Sequence, residues 1–204
     1  MKVKGKFITF EGVDGAGKST HIDEVISLLT SKNIKVIKTR EPGGTKLGEK
    51  LRDMLLHDEM DPETETLLMF AARRQHIAEI IKPALDEGLF VLSDRFTDAT
   101  YAYQYGGKHV AYSKIEILES WVHSDFKADL TLLFDLPVEI SIERLKKNRA
   151  PDKFEKESEA FFNRLRNVYL NLARQHPNRY RVINANQAIE LVSHDVIEAV
   201  ESIL

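Results

Sequence analysis

Short apolar runs alternate with longer amphipathic segments along the chain. Five runs rich in Val, Ile, Leu and Phe predict strands at residues 7–10, 34–39, 89–93, 130–135 and 180–184. Helical spacing of apolar residues predicts helices at residues 18–32, 63–85, 115–122, 138–148, 155–173 and 188–204. In the longest of these, Pro83 should kink the helix or open its last piece. Apolar strands separated by helices are typical of a parallel sheet, so the pattern predicts an α/β fold.

Length and composition fit one globular domain that spans residues 1–204. Hydrophobic residues make up 43% of the chain and charged residues 30%, and there is no repeat or linker to mark a second domain. No apolar run approaches the roughly 18 residues needed to cross a bilayer. Residues 1–4 lead into a strand-like segment without a signal-peptide core. Secretion and membrane insertion are therefore not expected.

Charge and cysteine content exclude several classes of function. The 29 basic and 32 acidic side chains give a formal charge of -3, which argues against a dedicated nucleic-acid binder. With no cysteine there is no disulfide framework, thiolate nucleophile or Cys-ligated zinc, and a reducing cytoplasm is the expected location. The seven histidines show no metal-ligand spacing, and no G-x-S-x-G or G-x-G-x-x-G motif is present.

The most specific motif follows the first predicted strand and opens a helix. Residues 12–19 match the phosphate-loop pattern G-x-x-x-x-G-K-[ST], whose glycines let backbone N–H groups surround phosphate oxygens. We expect Lys18 to bridge the β and γ phosphates of a nucleotide and Ser19 to offer its hydroxyl to Mg²⁺. The predicted nucleotide-binding residues are Gly12, Val13, Asp14, Gly15, Ala16, Gly17, Lys18, Ser19, Thr20 and, further along, Arg144.

Two further motifs follow predicted strands, at the sheet edge where ligands bind in α/β proteins. After the third strand, Asp94 can hold Mg²⁺ directly or through water, and Arg95 suits a phosphate. Alone, the pair would more often be a surface ion pair, but the phosphate loop beside it favours the ligand-binding interpretation. After the second strand, Arg40 precedes a Pro-Gly-Gly segment that includes Pro42. That segment either forms only a tight turn or brings a second guanidinium to the phosphates.

Two helical segments carry weaker signals. Phe70 and Arg74 lie one turn apart and can face the same flat heterocycle, although a helical Phe is usually core and an Arg usually solvated. The segment 144–153 contains five basic residues in ten, which by itself indicates a solvated helix end followed by a turn. The five are Arg144, Lys146, Lys147, Arg149 and Lys153.

In order and spacing, these motifs resemble those of the thymidylate kinase family over nearly the whole chain. The resemblance rests on residues 10–20, on residues 40–45 followed by Gly48, Glu49 and Arg52, and on residues 94–96 running into residues 102–104. It implies ATP-dependent phosphorylation of dTMP to dTDP with Mg²⁺. It also implies a P-loop NTPase fold with a five-stranded parallel sheet of order 2-3-1-4-5, a short mobile lid at about residues 146–157, and usually a homodimer.

Roles for individual residues follow from the same resemblance. Arg95 and Arg40 would hold the dTMP phosphate, Asp14 would receive the sugar 3′-hydroxyl, and Tyr103 would crowd the place of a ribose 2′-hydroxyl. Phe70 would stack on thymine, and Arg74 and Gln104 would contact its edge. The implied substrate-binding set is Asp14, Arg40, Pro42, Phe70, Arg74, Arg95, Thr100, Tyr103 and Gln104. The implied catalytic set is Lys18, Arg95, Arg149, Lys153 and Asp14.

The chain departs from the family pattern in its lid. One subgroup has an arginine in the phosphate loop, where this chain has Gly15, and the other has an Asp-Arg pair in the lid, where this chain has Asp152 and Lys153. Because Lys cannot form a bidentate fork, we expect Arg149 to be the principal lid cation, assisted by Lys153.

Two alternative functions stay open at this point. One is a kinase for another nucleoside monophosphate or a deoxynucleoside, which shares the phosphate-loop and lid logic. The other is a nucleotide-dependent switch or regulatory ATPase, but the guanine-reading Asn-Lys-x-Asp motif of GTP switches is absent. A panel of acceptors separates these readings, because a switch hydrolyses nucleotide without an acceptor.

Overall fold

A five-stranded parallel sheet forms the centre of the protein. The computed structural model describes residues 4–146, 154 and 157–204. Its strands are β1 (Phe7–Glu11), β2 (Val36–Arg40), β3 (Phe90–Asp94), β4 (Leu130–Asp135) and β5 (Tyr180–Asn184). Their order is β2-β3-β1-β4-β5, and every neighbouring pair is parallel. The predicted α/β class and strand order are confirmed.

Helices of varied length connect these strands. They are α1 (Lys18–Ser31), α2 (Lys46–His57), α3 (Pro62–His76), α4 (Lys82–Asp86), α5 (Thr97–Thr100), α6 (Tyr112–Val122), α7 (Val138–Lys146), α8 (Glu159–Gln175) and α9 (Ile189–Glu201). Two π-helical segments interrupt the set: Ile77–Ile81 joins α3 to α4, and Tyr101–Gly107 follows α5. Within the described ranges, none of the helices has the length and apolar character to cross a membrane.

Several helices differ from the sequence prediction, which also lacked α5 and the π-helical segment after it. The predicted helix at 63–85 is divided into α3, a π-helical segment and α4, with Pro83 in the first turn of α4 as expected. Helix α2 was not predicted; its N-cap Thr45 accepts a hydrogen bond from the N–H of Gly48, which ends the Pro-Gly-Gly turn and starts the helix. Helix α8 begins at Glu159, later than predicted, because Ser158 caps it by accepting from the N–H of Phe161.

The two faces of the sheet pack against separate apolar clusters. Along β1, Ile8 and Phe10 face the larger cluster, which includes residues of α1, α8 and α9, whereas Phe7 faces the smaller one with Ile77 and Ile81. All five side chains are fully buried. The alternation follows from the period of two in a strand, and burial on both faces explains why residues 7, 8 and 10 of β1 are all apolar.

Strand register brings polar ends together at the carboxyl edge. Phe10 of β1 lies beside Asp94 of β3, and Arg40 of β2 lies on the other side of Asp94. The loops after β1, β2 and β3 therefore leave the sheet next to one another. This edge is where ligands bind in open α/β sheets.

Candidate nucleotide and acceptor site

A cleft of about 610 Å³ opens at this carboxyl edge. It brings together most of the residues that the sequence singled out. Those that line it are Asp14, Gly15, Gly17, Lys18, Ser19, Thr20, Arg40, Pro42, Asp94, Arg95, Thr100, Tyr103, Gln104 and Arg144. Of the predicted residues that the structure describes, those that do not line it are Gly12, Val13, Ala16, Phe70 and Arg74.

The phosphate loop connects β1 to α1 with an unusual backbone. Gly12 has φ +133°, and a Cβ there would lie 2.5 Å from the carbonyl oxygen of Phe134, so only glycine fits. Gly17, with φ +90°, turns the chain into α1. The Nζ of Lys18 donates to the carbonyls of Gly12 (3.2 Å) and Val13 (3.1 Å). Burial is the main cause that lowers the pKa of Lys18, and repulsion from Arg95 is the second. The first residues of α1 line the cleft, and a helix N-terminus is a favourable place for an anion.

Arg144 connects the phosphate loop to the far side of the sheet. Its guanidinium donates to the carbonyl of Gly15 at 3.5 Å and to that of Ala185, just after β5, at 3.2 Å. The same side chain lines the cleft, beside the loop. Arg144 is therefore placed where a nucleotide bound at the loop would meet it.

Arg95 is the centre of a buried polar cluster beside the loop. Its Nη2 donates to Asp14 Oδ1 (2.6 Å) and to the Tyr103 hydroxyl (2.9 Å), while Nη1 donates to the carbonyl of Gly12 and to the Tyr169 hydroxyl, both at 3.1 Å. Tyr103 in turn donates to Asp14 Oδ2 at 2.7 Å. The backbone of Arg95 has φ +72°, which lies in the left-handed region that residues other than glycine rarely adopt.

The charges of this cluster stabilise one another. Burial alone would raise the pKa of Asp14, but Arg95 and Lys18 outweigh it and hold that pKa well below its usual range. Burial, opposed in part by Arg95, raises the pKa of Tyr103 well above its usual value. Asp14 is therefore a carboxylate and Tyr103 a neutral phenol at physiological pH, so the pair offers an acceptor next to a hydroxyl.

Two residues of this cluster were missed by the sequence interpretation. Glu11 accepts from the N–H of Phe96 at 2.7 Å and from the Tyr169 hydroxyl at 2.9 Å. Burial, followed by repulsion from Asp98, raises the pKa of Glu11 to about 8. Tyr169 comes from α8, about 70 residues beyond Arg95, so no local pattern in the sequence could have paired the two.

On α3 the structure brings Met69 and Arg73, rather than Phe70 and Arg74, to the cleft. The predicted pair is not brought to this wall: Phe70 is only 1% exposed and belongs to the core, and Arg74 points to solvent. Met69 and Arg73 also lie one helical turn apart, but they are shifted by one residue from the predicted pair, because the larger Phe70 packs into the core. The phase of a helix against its sheet is set by such packing.

Arg73 is almost fully buried in a network of its own. Its Nε donates to Glu41 Oε2 at 2.7 Å, and its Nη2 donates to the carbonyl of Phe96 (3.2 Å) and to Thr100 Oγ1 (3.1 Å). Its remaining nitrogen, Nη1, is buried and has no hydrogen-bond partner in the part of the chain that the structure describes. A buried, unpaired guanidinium N–H on a cleft wall marks a place for an acceptor atom of a ligand.

The segment after β2 holds its own arginines. Glu41 also accepts from His76 at 2.9 Å and precedes Pro42 through a cis peptide bond. Arg40 is half exposed and donates to Glu49 at 2.8 Å, while Arg52 donates to the carbonyl of Pro42 at 2.9 Å. Arg40 and Arg52 both line the cleft, so this segment adds two cations to that wall.

The donors for a metal ion are sparse but suitable. Asp94 Oδ1 is buried without a hydrogen-bond partner among the described residues, and both Asp94 and Ser19 line the cleft. Across those residues, no three His, Cys, Asp or Glu side chains form a metal-binding group. Ser19 and Asp94 therefore fit a cation such as Mg²⁺ that takes most of its ligands from phosphate oxygens and water.

Most of the predicted lid lies outside the described residues. This holds for both cations assigned to it, Arg149 and Lys153. Phe154 is described: it lines the cleft, and its ring packs edge-on against Tyr103 with the two centroids 5.7 Å apart. Phe154 therefore lies on the same side of the cleft as Tyr103.

Comparison with known proteins gives a consistent result. The family profile described as thymidylate kinase matches residues 10–196. Thymidylate kinases of Methylobacillus flagellatus and Cupriavidus necator are 58% and 57% identical, covering 96% and 99% of this chain and 97% and 98% of their own lengths. A crystal structure of thymidylate kinase from Ehrlichia chaffeensis superposes with a TM-score of 0.77 at 34% identity, covering 97% of this chain and 98% of that one. The chain belongs to the thymidylate kinase family.

Proposed function

We propose that the protein transfers the γ-phosphoryl group of ATP to dTMP and so forms dTDP for dTTP synthesis. The observation that carries this proposal is the cluster of Arg95, Asp14 and Tyr103, joined by hydrogen bonds of 2.6–2.9 Å directly beside the phosphate loop. A site for the donor nucleotide and a site for the acceptor nucleotide would thus share one cleft. Membership of the thymidylate kinase family supports the same assignment.

The reaction needs alignment and charge cancellation rather than a general base. The acceptor is a phosphate oxygen that is already anionic at neutral pH, so the main obstacle is repulsion between two anions. Lys18 and the N-terminus of α1 would bind the donor phosphates, while Arg95, Arg40 and Arg52 offer cations on the acceptor side. Preorganised cations of this kind stabilise the charge that develops during transfer.

Mg²⁺ would be held by Ser19 and Asp94 together with the donor phosphates, and it would neutralise phosphate charge during transfer. The unpaired Oδ1 of Asp94 supports this assignment. Arg144, which spans from Gly15 to Ala185, would lie against the nucleoside part of the donor.

The acceptor side would recognise the sugar and the base separately. Asp14 would accept a hydrogen bond from the 3′-hydroxyl, and Tyr103, fixed against Asp14, would leave no room for a 2′-hydroxyl. Met69 would contact the face of the thymine, and the unpaired Nη1 of Arg73 would donate to its O4. Gln104, on the same wall, would bind the neighbouring N3–H.

We propose that the chain is a single domain whose lid, at about residues 146–157, delivers Arg149 as its principal cation with Lys153 assisting. With this lid, the protein would belong to the subgroup that has the arginine in its lid. Gly15 supports the assignment, because a Cβ there would lie 2.8 Å from the carbonyl of Ser141 and leaves no room for an arginine in the loop.

We further propose a cytoplasmic homodimer that buries the apolar face formed by α3 and α6. The two helices pack together and expose Leu67 (54%), Ile117 (67%) and Trp121 (82%). Large exposed apolar side chains grouped in this way usually mark an interface. Sedimentation of the protein tests this directly: a dimer that Trp121→Glu dissociates supports the interface, and a wild-type monomer contradicts it.

A coupled assay of ADP production tests the catalytic proposal. With ATP and Mg²⁺ present, dTMP, dUMP, UMP, CMP, AMP, GMP and thymidine are offered separately. We expect fast turnover with dTMP, slow turnover with UMP and almost none without an acceptor. Preference for another acceptor would leave the phosphate site standing but overturn the roles of Arg73 and Tyr103, while acceptor-independent hydrolysis would overturn the kinase assignment.

A further inference from the structure

A buried carboxylate lies behind the cleft wall and contacts one of its residues. Glu65, near the start of α3, is fully buried and does not line the cleft. Its Oε1 accepts from Gln104 Nε2 at 3.0 Å, and its Oε2 accepts from Lys108 Nζ at 2.7 Å. Gln104 itself lines the cleft. Through the side-chain amide of Gln104, Glu65 thus contacts the lining of the binding site.

This contact fixes which way the amide of Gln104 points. A carboxylate paired with Lys108 only accepts hydrogen bonds, so the amide nitrogen of Gln104 must face Glu65. The amide oxygen then lies at the end that faces away from Glu65. Without such a partner, the two ends of a glutamine amide are nearly equal in shape and can exchange by a flip.

We propose that Glu65 is a positioning residue that selects the base of the acceptor by holding the Gln104 amide with its oxygen toward the cleft. The inference rests on the proposed function. Thymine presents an N–H donor at N3 beside an acceptor at O4, which complements the Gln104 oxygen and the unpaired Nη1 of Arg73. Cytosine presents an acceptor at N3 and an amine at C4, so it meets a like group at both positions and is rejected.

The substitution Glu65→Gln should reverse the orientation of the Gln104 side-chain amide. Lys108 is a donor only, so the new amide would turn its oxygen to Lys108 and its nitrogen to Gln104. Gln104 would then turn its own oxygen toward residue 65 and present its nitrogen to the cleft. We expect KM for dTMP to rise about tenfold, with a smaller change in kcat, and the inhibition constant of dCMP to fall.

Three comparisons make the test specific. The ratio of kcat/KM for dTMP to that for dUMP should stay unchanged, because both bases carry the same N3 and O4 groups. The ratio of the dCMP inhibition constant to KM for dTMP should fall at least tenfold. In a Gln104→Ala background, Glu65→Gln should change neither ratio further, since its effect passes through Gln104.

Two results would contradict the role of Glu65. An unchanged preference for dTMP over dCMP in Glu65→Gln, or an equal loss in the Gln104→Ala background, would overturn the role of Glu65. If Glu65→Gln fails to fold, Glu65→Gln/Lys108→Met removes both buried charges and leaves the amide without a fixed orientation, so discrimination should again fall. Absence of dTMP turnover in the wild type would instead refute the proposed function.

Discussion

The buried ion pair between Arg73 and Glu41 gives a sharp prediction about stability. Their side chains are 2% and 4% exposed and 2.7 Å apart. Arg73→Met removes the cation and leaves the Glu41 carboxylate with His76 as its other side-chain partner. Breaking a buried pair from one side costs about 3–5 kcal/mol, a large share of the roughly 5–15 kcal/mol that stabilises a typical protein.

Removing both charges should cost less than removing one. In Glu41→Gln/Arg73→Met the buried charge is gone, and one amide N–H is left without its acceptor, at about 1–3 kcal/mol. The double variant should therefore be about 2 kcal/mol more stable than Arg73→Met alone. Urea unfolding followed by far-UV circular dichroism measures the difference; Trp121 is 82% exposed, so its fluorescence would report poorly.

Acid sensitivity provides a second readout of the same pair. Burial opposes ionisation of Glu41, but Arg73 and His76 outweigh it and lower its pKa below the usual 4.5. A carboxylate with a lowered pKa contributes stability above pH 4.5 and loses it as the pH falls through the folded-state value. Arg73→Met should therefore lose less stability on acidification than the wild type. A double variant no more stable than Arg73→Met, with an unchanged acid dependence, would refute the reasoning.

Three further changes test other parts of the site. Lys18→Ala should lower kcat on the order of 100-fold or more while the melting temperature changes little, and near-normal turnover would exclude the phosphate-loop assignment. The raised pKa of Glu11 means that the folded protein holds a proton that the unfolded chain releases, so stability should fall as pH rises from about 5 to 8. Glu11→Gln should flatten this pH dependence of the melting temperature, and an unchanged slope would contradict the prediction. Arg149→Ala should lower kcat more than Lys153→Ala, and the reverse order would assign the main lid charge to the lysine.

The sheet could be predicted from sequence because its signals are local. Each strand was placed within two residues, and the strand ends that carry Arg40, Asp94 and Arg95 follow directly from that placement. The phosphate loop was equally accessible, because its glycines and Lys18 are adjacent in the chain. Short-range patterns of this kind survive folding, since they are set by backbone geometry and burial on both sheet faces.

Features that depend on packing between distant parts of the chain could not be predicted from the sequence. The exchange of Phe70 and Arg74 for Met69 and Arg73 reflects the rotation of α3 against the core, which helical spacing alone leaves undefined. Tyr169 reaches Arg95 only because α8 packs along the π-helical segment Tyr101–Gly107, where Gly107 leaves room for a ring of α8. An extra residue in a helical turn leaves no periodic signal in the sequence.

The left-handed backbone of Arg95 constrains how this position can evolve. Most side chains at φ +72° cost on the order of 1–3 kcal/mol, and glycine is the residue that relieves this strain. Glycine, however, brings no charge, and lysine brings charge without the planar fork that reaches four oxygen atoms here. Backbone and side chain therefore demand different residues, and every single-step replacement sacrifices one of the two. We therefore expect position 95 to keep its arginine, because no single substitution combines the charge network with an unstrained backbone.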